Sequence, residues 1–297
     1  MYPLLQWGMV ELSTNYLLIY LGIVLAITLF LWRAKRTGVN MVRATDITIF
    51  MIITLIVGAR LFYVFLAPDS ARYLRSPLEI LKIWKGGFSS AGGAGLFLLT
   101  TLWYCKHHGV NWRRVFDLLA TSGFLGLGFS RIGCFFAGCC YGVRHESWFA
   151  VVFERHGSSK PLTGIPLGIP LWPTQLVLAF NAFLLVALTW WYFPRRRFDG
   201  EVFLLGTALY TVLRFLVETY RTLPTHYQVL GFSFTDFQVM ALLYLPLSLV
   251  LWGLSRTGRI PAARLDGPEA NVFLLQNKGK NREAPVTMSK KHKNTKQ

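Results

Sequence analysis

The sequence predicts an all-α, polytopic membrane protein of about seven transmembrane helices. Three observations carry that reading. Of 297 residues, 53% are hydrophobic and only 15% are charged, where a soluble chain would carry about 25% charge. Mean hydropathy is +0.42. The apolar residues also fall in runs long enough to cross about 30 Å of hydrocarbon, which takes roughly 20 residues of helix. Net charge is +17, but the basic residues stand in short blocks between apolar runs. Membrane topology explains that pattern, and nucleic-acid binding is not expected.

The runs lie at about 15–32, 46–67, 88–105, 115–137, 173–193, 201–219 and 237–254. The first is a span rather than a signal peptide: Glu11 precedes it, it lacks a basic leader, and no small-residue cleavage site comes before Arg33. Arg33, Lys35, Arg36 and Arg43 follow span one, Lys106, Arg113 and Arg114 follow span three, and Arg195, Arg196 and Arg197 follow span five. With ten more beyond span seven, twenty of the 31 Lys and Arg residues fall on one side. By the positive-inside rule the N-terminus is outside and the C-terminus cytoplasmic. Residues 1–255 form the membrane domain. The polar, Lys-rich segment 256–297 reads as a solvated, disordered cytoplasmic tail, with attraction to anionic lipid as the sharper option.

Arg60, Arg131 and Arg214 fall inside spans, where each costs about 2.5–3.5 kcal/mol near a helix centre. At 1.5 Å per residue they lie roughly 20–24 Å from the inner boundary, so three helices bring a guanidinium to one level in the outer half of the bilayer. Glu218 is the clearest acid at that depth, with Asp46, Asp117 and Asp236 at span ends. Positive charge is in excess, and an anion is expected to balance it. Snorkelling to the interface is the alternative for each arginine. Arg214 has Tyr210 and Glu218 one turn to either side on the same helical face. Arg131 stands among Gly123, Gly126, Gly128, Gly133, Gly138 and Gly142, a spacing that serves close helix packing or admits a substrate. The planar guanidinium fork suits a phosphodiester, and a phospholipid headgroup of the outer leaflet is the economical ligand.

Cys134, Cys139 and Cys140 form C-x4-C-C at the same level. They read foremost as small packing residues, with a disulfide, or a metal site completed by His145, as the other options. No long soluble region calls for a disulfide framework, and no phosphate-loop motif G-x4-G-K-[ST] occurs.

The segment Arg131-Ile132-Gly133-Cys134-Phe135-Phe136-Ala137-Gly138-Cys139-Cys140-Tyr141-Gly142 resembles the signature of the prolipoprotein diacylglyceryl transferases. Six other elements resemble that family in order along the spans. They are Tyr16-x3-Tyr20 in span one, Gly58-Ala59-Arg60-Leu61 in span two, Ile83-Trp84-Lys85-Gly86-Gly87-Phe88-Ser89 before span three, and Pro173-Thr174-Gln175-Leu176 opening span five. Tyr210-x3-Arg214-Phe215-x2-Glu218-x2-Arg221 follows in span six, and Gln238 begins span seven. Each is weak alone; seven in order are specific.

The resemblance implies transfer of the diacylglyceryl group of phosphatidylglycerol to the lipobox cysteine of a secreted lipoprotein precursor, with glycerol phosphate leaving. It implies a bacterial inner-membrane enzyme needing no cofactor or metal, with phosphatidylglycerol and lipobox precursors as partners, and a monomer. Arg131, Arg214, Tyr210, Glu218 and Tyr16 would be catalytic. Arg60, Gly133, Gly142, Gln175, Gln238, Arg221 and Ser89 would bind substrate. The chain departs from the family pattern at Ala91, where a histidine often stands, at Cys134 and Cys139, where Asn and Glu are common, and at Val177-Leu178. Glu218, a phosphate oxygen or water would then take the thiol proton, with His145 and His226 as loop substitutes. A homologue that binds anionic phospholipid without catalysis is the second reading. A transporter of an anionic lipid or solute is the third, disfavoured because no internal repeat is found and the arginines sit near one surface.

Overall fold

A computed structural model describes residues 4–7, 10–66, 73, 76–82, 87–154, 165–221, 226–229 and 232–258. Most of the predicted tail, the Ile83–Gly86 part of the third motif, and the side chains of Ala91 and His226 lie outside that description.

Among the described residues are seven helices of 18 residues or more. They are α1 (Thr14–Arg36), α2 (Met41–Leu66), α3 (Ser90–His107), α4 (Trp112–Ala137), α5 (Thr174–Tyr192), α6 (Glu201–Glu218) and α7 (Asp236–Arg256). Each coincides with one predicted run, and the chain is mostly helical. Five of them, α1, α2, α4, α5 and α7, are long and apolar enough to cross a membrane. The other two are short and polar at telling places: α3 opens on Gly92, Gly93 and Gly95 and closes on Lys106-His107, while α6 carries Glu201, Arg214 and Glu218. Large apolar side chains coat the outside, among them Leu99, Phe180 and Leu243. That coat is what a protein solvated by lipid presents.

Local chemistry sets the helix ends. Asn111 caps α4 by accepting from the Arg114 N–H at 3.3 Å, and Gly138 ends it in the left-handed conformation at φ 71°. Thr235 and Gln238 make a reciprocal capping box at the start of α7. Pro194 stops α5 from continuing.

The sequence reading did not contain strands, and the structure adds three short antiparallel pairs. β1 (Leu4–Trp7) pairs with β2 (Val10–Ser13), β3 (Val151–Val152) with β4 (Pro170–Leu171), and β5 (His226–Val229) with β6 (Phe232–Thr235). Two-to-four-residue pairs between spans are too short to leave a period-2 signature.

Helix α4 is central, lying along α1 and α5 and touching α6, while α2 lies along α3 and α6 along α7. Small residues set the separations. A Cβ on Gly58 would stand 2.7 Å from the Gly92 carbonyl oxygen, so α2 and α3 meet backbone to backbone. Where α4 begins, a buried polar lattice joins it to the α5–α6 connection. Asp117 accepts from the N–H groups of Gly200 and Phe203, both at 2.8 Å, and caps α6. Asp199 holds Arg114 at 3.1 Å and Arg196 at 3.2 Å. That lattice fixes the end of the bundle remote from Arg131.

Candidate functional site

Three segments are knitted together where α4 ends. Beyond Gly138 the chain turns through Cys140, a non-glycine residue at φ 58°. Its carbonyl accepts from Thr174 Oγ1 at 2.7 Å, and that of Cys139 from Gln175 Nε2 at 2.8 Å. Thr174 and Gln175, both fully buried at the start of α5, thus hold the signature turn by its backbone. The chain then runs beside the end of α6: the Gly142 N–H donates to Trp172 O at 3.1 Å and the Val143 N–H to Tyr220 O at 2.9 Å. A Cβ on Gly142 would meet both the Trp172 and Tyr220 carbonyl oxygens at 2.7 Å, which only glycine avoids.

On α6 the four-residue spacing stacks Tyr210, Arg214 and Glu218 on one face. Arg214 and Glu218 are 5% and 3% exposed. Arg214 Nη2 lies 2.6 Å from Glu218 Oε2, and Arg221 Nη1 lies 3.1 Å from the other carboxylate oxygen. Glu218 Oε2, in that ion pair, and Arg214 Nη1 are both buried without hydrogen-bond partners. Arg214 also stands 5.2 Å over the Phe237 ring of α7.

Arg131 reaches the same place from α4. Its guanidinium is in electrostatic range of Tyr210, of the thiols of Cys134, Cys139 and Cys140, and of Arg214. Among the described residues it makes no hydrogen bond and no ion pair. Arg214 and Arg221 share one carboxylate, Glu218, and with Arg131 beside them the cluster has positive charge in excess. Buried charge of that kind is costly unless an anion joins it.

The three thiols are free and lie within 4.8 Å of one another. Arg221 Nη2 donates to Cys140 Sγ at 3.6 Å. The neighbouring thiols of Cys134 and Cys139, helped by Arg221 and Arg131, hold the Cys140 thiol below its ordinary range. Cys139, which donates, is pushed up. His145 does not join them as a fourth ligand: its ring packs edge-on against Trp172 at 4.9 Å.

The remaining expected site residues fall elsewhere. Arg60 is turned to backbone carbonyls, with Nε 2.9 Å from Ile80 O, Nη2 2.8 Å from Glu79 O and Nη1 3.1 Å from Gly87 O. It therefore ties the segment before α3. Ser89 precedes α3, its N–H donating to Ala59 O at 2.9 Å. The Gln238 side chain accepts from the Thr235 N–H at 3.0 Å, completing the α7 cap. Gly133 receives α1: a Cβ there would stand 2.8 Å from Asn15 Oδ1. Tyr16 is 60% exposed on α1. Sequence reasoning missed Thr174 as a support of the turn; its place beside Gln175 at a helix start was the available signal.

Fold and site together define a multi-pass helical membrane protein with an arginine cluster at one end of its bundle. The family model described as prolipoprotein diacylglyceryl transferase matches residues 3–254. The chain belongs to that family. It is 34% identical over 207 residues to the phosphatidylglycerol–prolipoprotein diacylglyceryl transferase of Clostridium tetani, covering 70% of this chain and 80% of that one. It is 30% identical over 252 residues to the enzyme of the same name from Xylella fastidiosa, covering 74% and 80%. It is 29% identical over 214 residues to the second such enzyme of Clostridium perfringens, covering 70% and 78%.

Proposed function

We propose that this protein transfers the diacylglyceryl group of phosphatidylglycerol to the lipobox cysteine thiol of a secreted lipoprotein precursor. The observation that carries the reading is Arg131, a guanidinium without a partner among the described residues, facing the Arg214–Glu218–Arg221 cluster across α4 and α6. The family membership and the names of the relatives supply the reaction.

In this reading Arg131 and Arg214 hold the phosphodiester and stabilise the charge that grows on the departing phosphate, a preorganised electrostatic role. The substrate sulfur bonds to the diacylglyceryl CH2 carbon, the bond from that carbon to the phosphate oxygen breaks, and glycerol phosphate leaves. The thiol proton passes by way of Glu218 Oε2, which has no hydrogen bond of its own, onto the departing phosphate. Tyr210 orients Arg131, Arg221 holds Glu218, and Gln175 and Gly142 keep the signature turn in register. Tyr16 lines the approach for the lipid. Seven spans, with the N-terminus outside and the C-terminus cytoplasmic, place the cluster in the outer half of the inner membrane. Residues 1–255 are the membrane unit, and 256–297 a basic cytoplasmic tail. The enzyme works as a monomer.

The test incubates purified protein with phosphatidylglycerol and a lipobox peptide and reads the diacylglyceryl mass shift on the peptide. Wild type modifies the peptide; Arg131→Ala and Arg214→Ala, each still membrane-folded, lose at least about a hundredfold in rate, as removal of a preorganised charge contact does. An unmodified peptide with wild type, with modification appearing on Ala91→His, overturns catalysis in favour of lipid binding alone.

A further inference from the structure

The far end of the bundle holds a second site of the same chemical sense, built from other residues. Arg33, near the C-terminal end of α1, is 5% exposed, and its Nη1 is buried with no hydrogen-bond partner. It lies flat against aromatic rings, 4.1 Å from the centroid of Phe193 and 5.1 Å from that of Trp190. Its neighbours are the lattice at the start of α4, where Arg114 and Arg196 face Asp117 and Asp199. Those four charges balance. Arg33 is ion-paired to none of the described residues. Glu201, the other buried acid nearby, is held by the Arg197 N–H and by Trp252 Nε1.

Beside Arg33 opens a cavity of about 380 Å³, whose rim adds Arg36 and Arg195. Trp32 and Trp190, both in its lining, stack on each other at 5.5 Å between centroids. Arg36 sits 3.9 Å over Trp32, and Arg195 sits 4.3 Å over Trp191. Three guanidiniums with no carboxylate in the lining make an anion site, and the volume suits a headgroup rather than a bare ion. The site's place identifies the source of the anion. Trp32, Trp190 and Trp191 stand at the ends of two helices apolar enough to cross a membrane, the level at which tryptophans mark the headgroup layer. Asn15, which touches Gly133 near the Arg131 cluster, and Arg33 are separated by about 27 Å along α1, close to the hydrocarbon thickness.

We propose that this cavity binds the phosphate headgroup of an anionic phospholipid from the leaflet opposite the Arg131–Arg214 cluster. Arg33 closes the buried side of the headgroup, Arg36 and Arg195 hold it from the rim, and the acyl chains lie outward along α1 and α5. The ligand is retained rather than consumed. Nothing in the lining offers a nucleophile or a base.

Native mass spectrometry of the full chain released from detergent tests this, with dimyristoyl phosphatidylglycerol and dimyristoyl phosphatidylcholine as probes. The expected result is one retained phosphatidylglycerol that survives Arg131→Gln but is weakened about tenfold or more by Arg33→Gln, the scale of one lost charge-assisted hydrogen bond. Arg36→Gln and Arg195→Gln leave the buried lattice alone and weaken the same lipid several-fold, so the test stands even if Arg33→Gln fails to fold. Equal retention of phosphatidylcholine overturns the proposal, as does unchanged binding in both rim variants. Displacement of the lipid by millimolar inorganic phosphate would show that the site takes free phosphate instead, and would overturn the lipid assignment. Because Arg131→Gln is carried in parallel, loss of this lipid is distinguishable from loss of a substrate lipid.

Discussion

Arg60, Arg131 and Arg214 share a side chain and an expected depth, yet the structure gives them different company. Arg60 donates to at least three backbone carbonyls of the segment before α3, and its role is to hold that segment. Arg60→Ala should lower stability by on the order of 3 kcal/mol, since charge-assisted bonds contribute about 1.5–3 kcal/mol each and the stranded carbonyls cost more. Thermal melting in detergent reads the loss; a melting temperature equal to wild type would return Arg60 to the list of substrate ligands. Cys140 is the other residue with a distinctive expectation. Its depressed thiol is already thiolate below the ordinary range of about 8.5. Its alkylation by iodoacetamide should therefore rise less steeply between about pH 6 and 8 than that of an ordinary thiol, which quickens nearly tenfold per pH unit there. Peptide mass spectrometry distinguishes Cys140 from Cys139, which should stay unlabelled. The sequence assigned these residues one expected level, but side-chain direction was not legible in it, because the spacing that brings arginines to one depth says nothing about which loop carbonyls come within reach.

At the scale of elements, the signature turn works because three segments bind it through backbone groups. Gly142 lies between two carbonyl oxygens, so Gly142→Ala must push apart the start of α5 and the end of α6. Misplacing reacting groups by about 1 Å costs on the order of a hundredfold in rate, and that is the loss expected in the peptide assay, with the protein still folded. Wild-type activity in Gly142→Ala would mean that the turn does not position Arg131. The contact of α2 with α3 is equally close. A leucine at Gly58 would collide with the Gly92 carbonyl and with Leu96, so Gly58→Leu should fail to yield a monodisperse protein by gel filtration, whereas an exposed partner such as Leu99→Ala on α3 should behave as wild type. All seven helices were legible as apolar runs. Gln238 and Thr235 were not legible as a capping box, since one polar residue at a span start fits a ligand and a cap equally well.

For the whole molecule, orientation and tail form the remaining expectation. A thiol-reactive, membrane-impermeant label should reach a cysteine introduced near the N-terminus in intact cells, and one placed near the C-terminus only after permeabilisation. The reverse pattern would move the Arg131 cluster to the cytoplasmic side and leave a secreted precursor without access to it. Deleting 259–297 should leave the peptide assay within about twofold, since the family match ends at residue 254 and a polar, Lys-rich segment buries too little to support the bundle.

By itself the sequence determined that the chain is a helical membrane protein, where each helix runs, and that positive charge is in excess within the apolar segments. Hydropathy and charge are properties of the residues alone, and lipid as solvent reads them directly. Only the tertiary structure decided which arginines share a carboxylate, that Arg60 is satisfied by carbonyls, and that Arg33 is a buried charge without an ion pair beside an aromatic cavity. Those outcomes depend on where neighbouring helices place their backbones. The contacts that fix the placement are glycine approaches and buried hydrogen bonds between residues far apart in the chain, which leave no periodic trace in it.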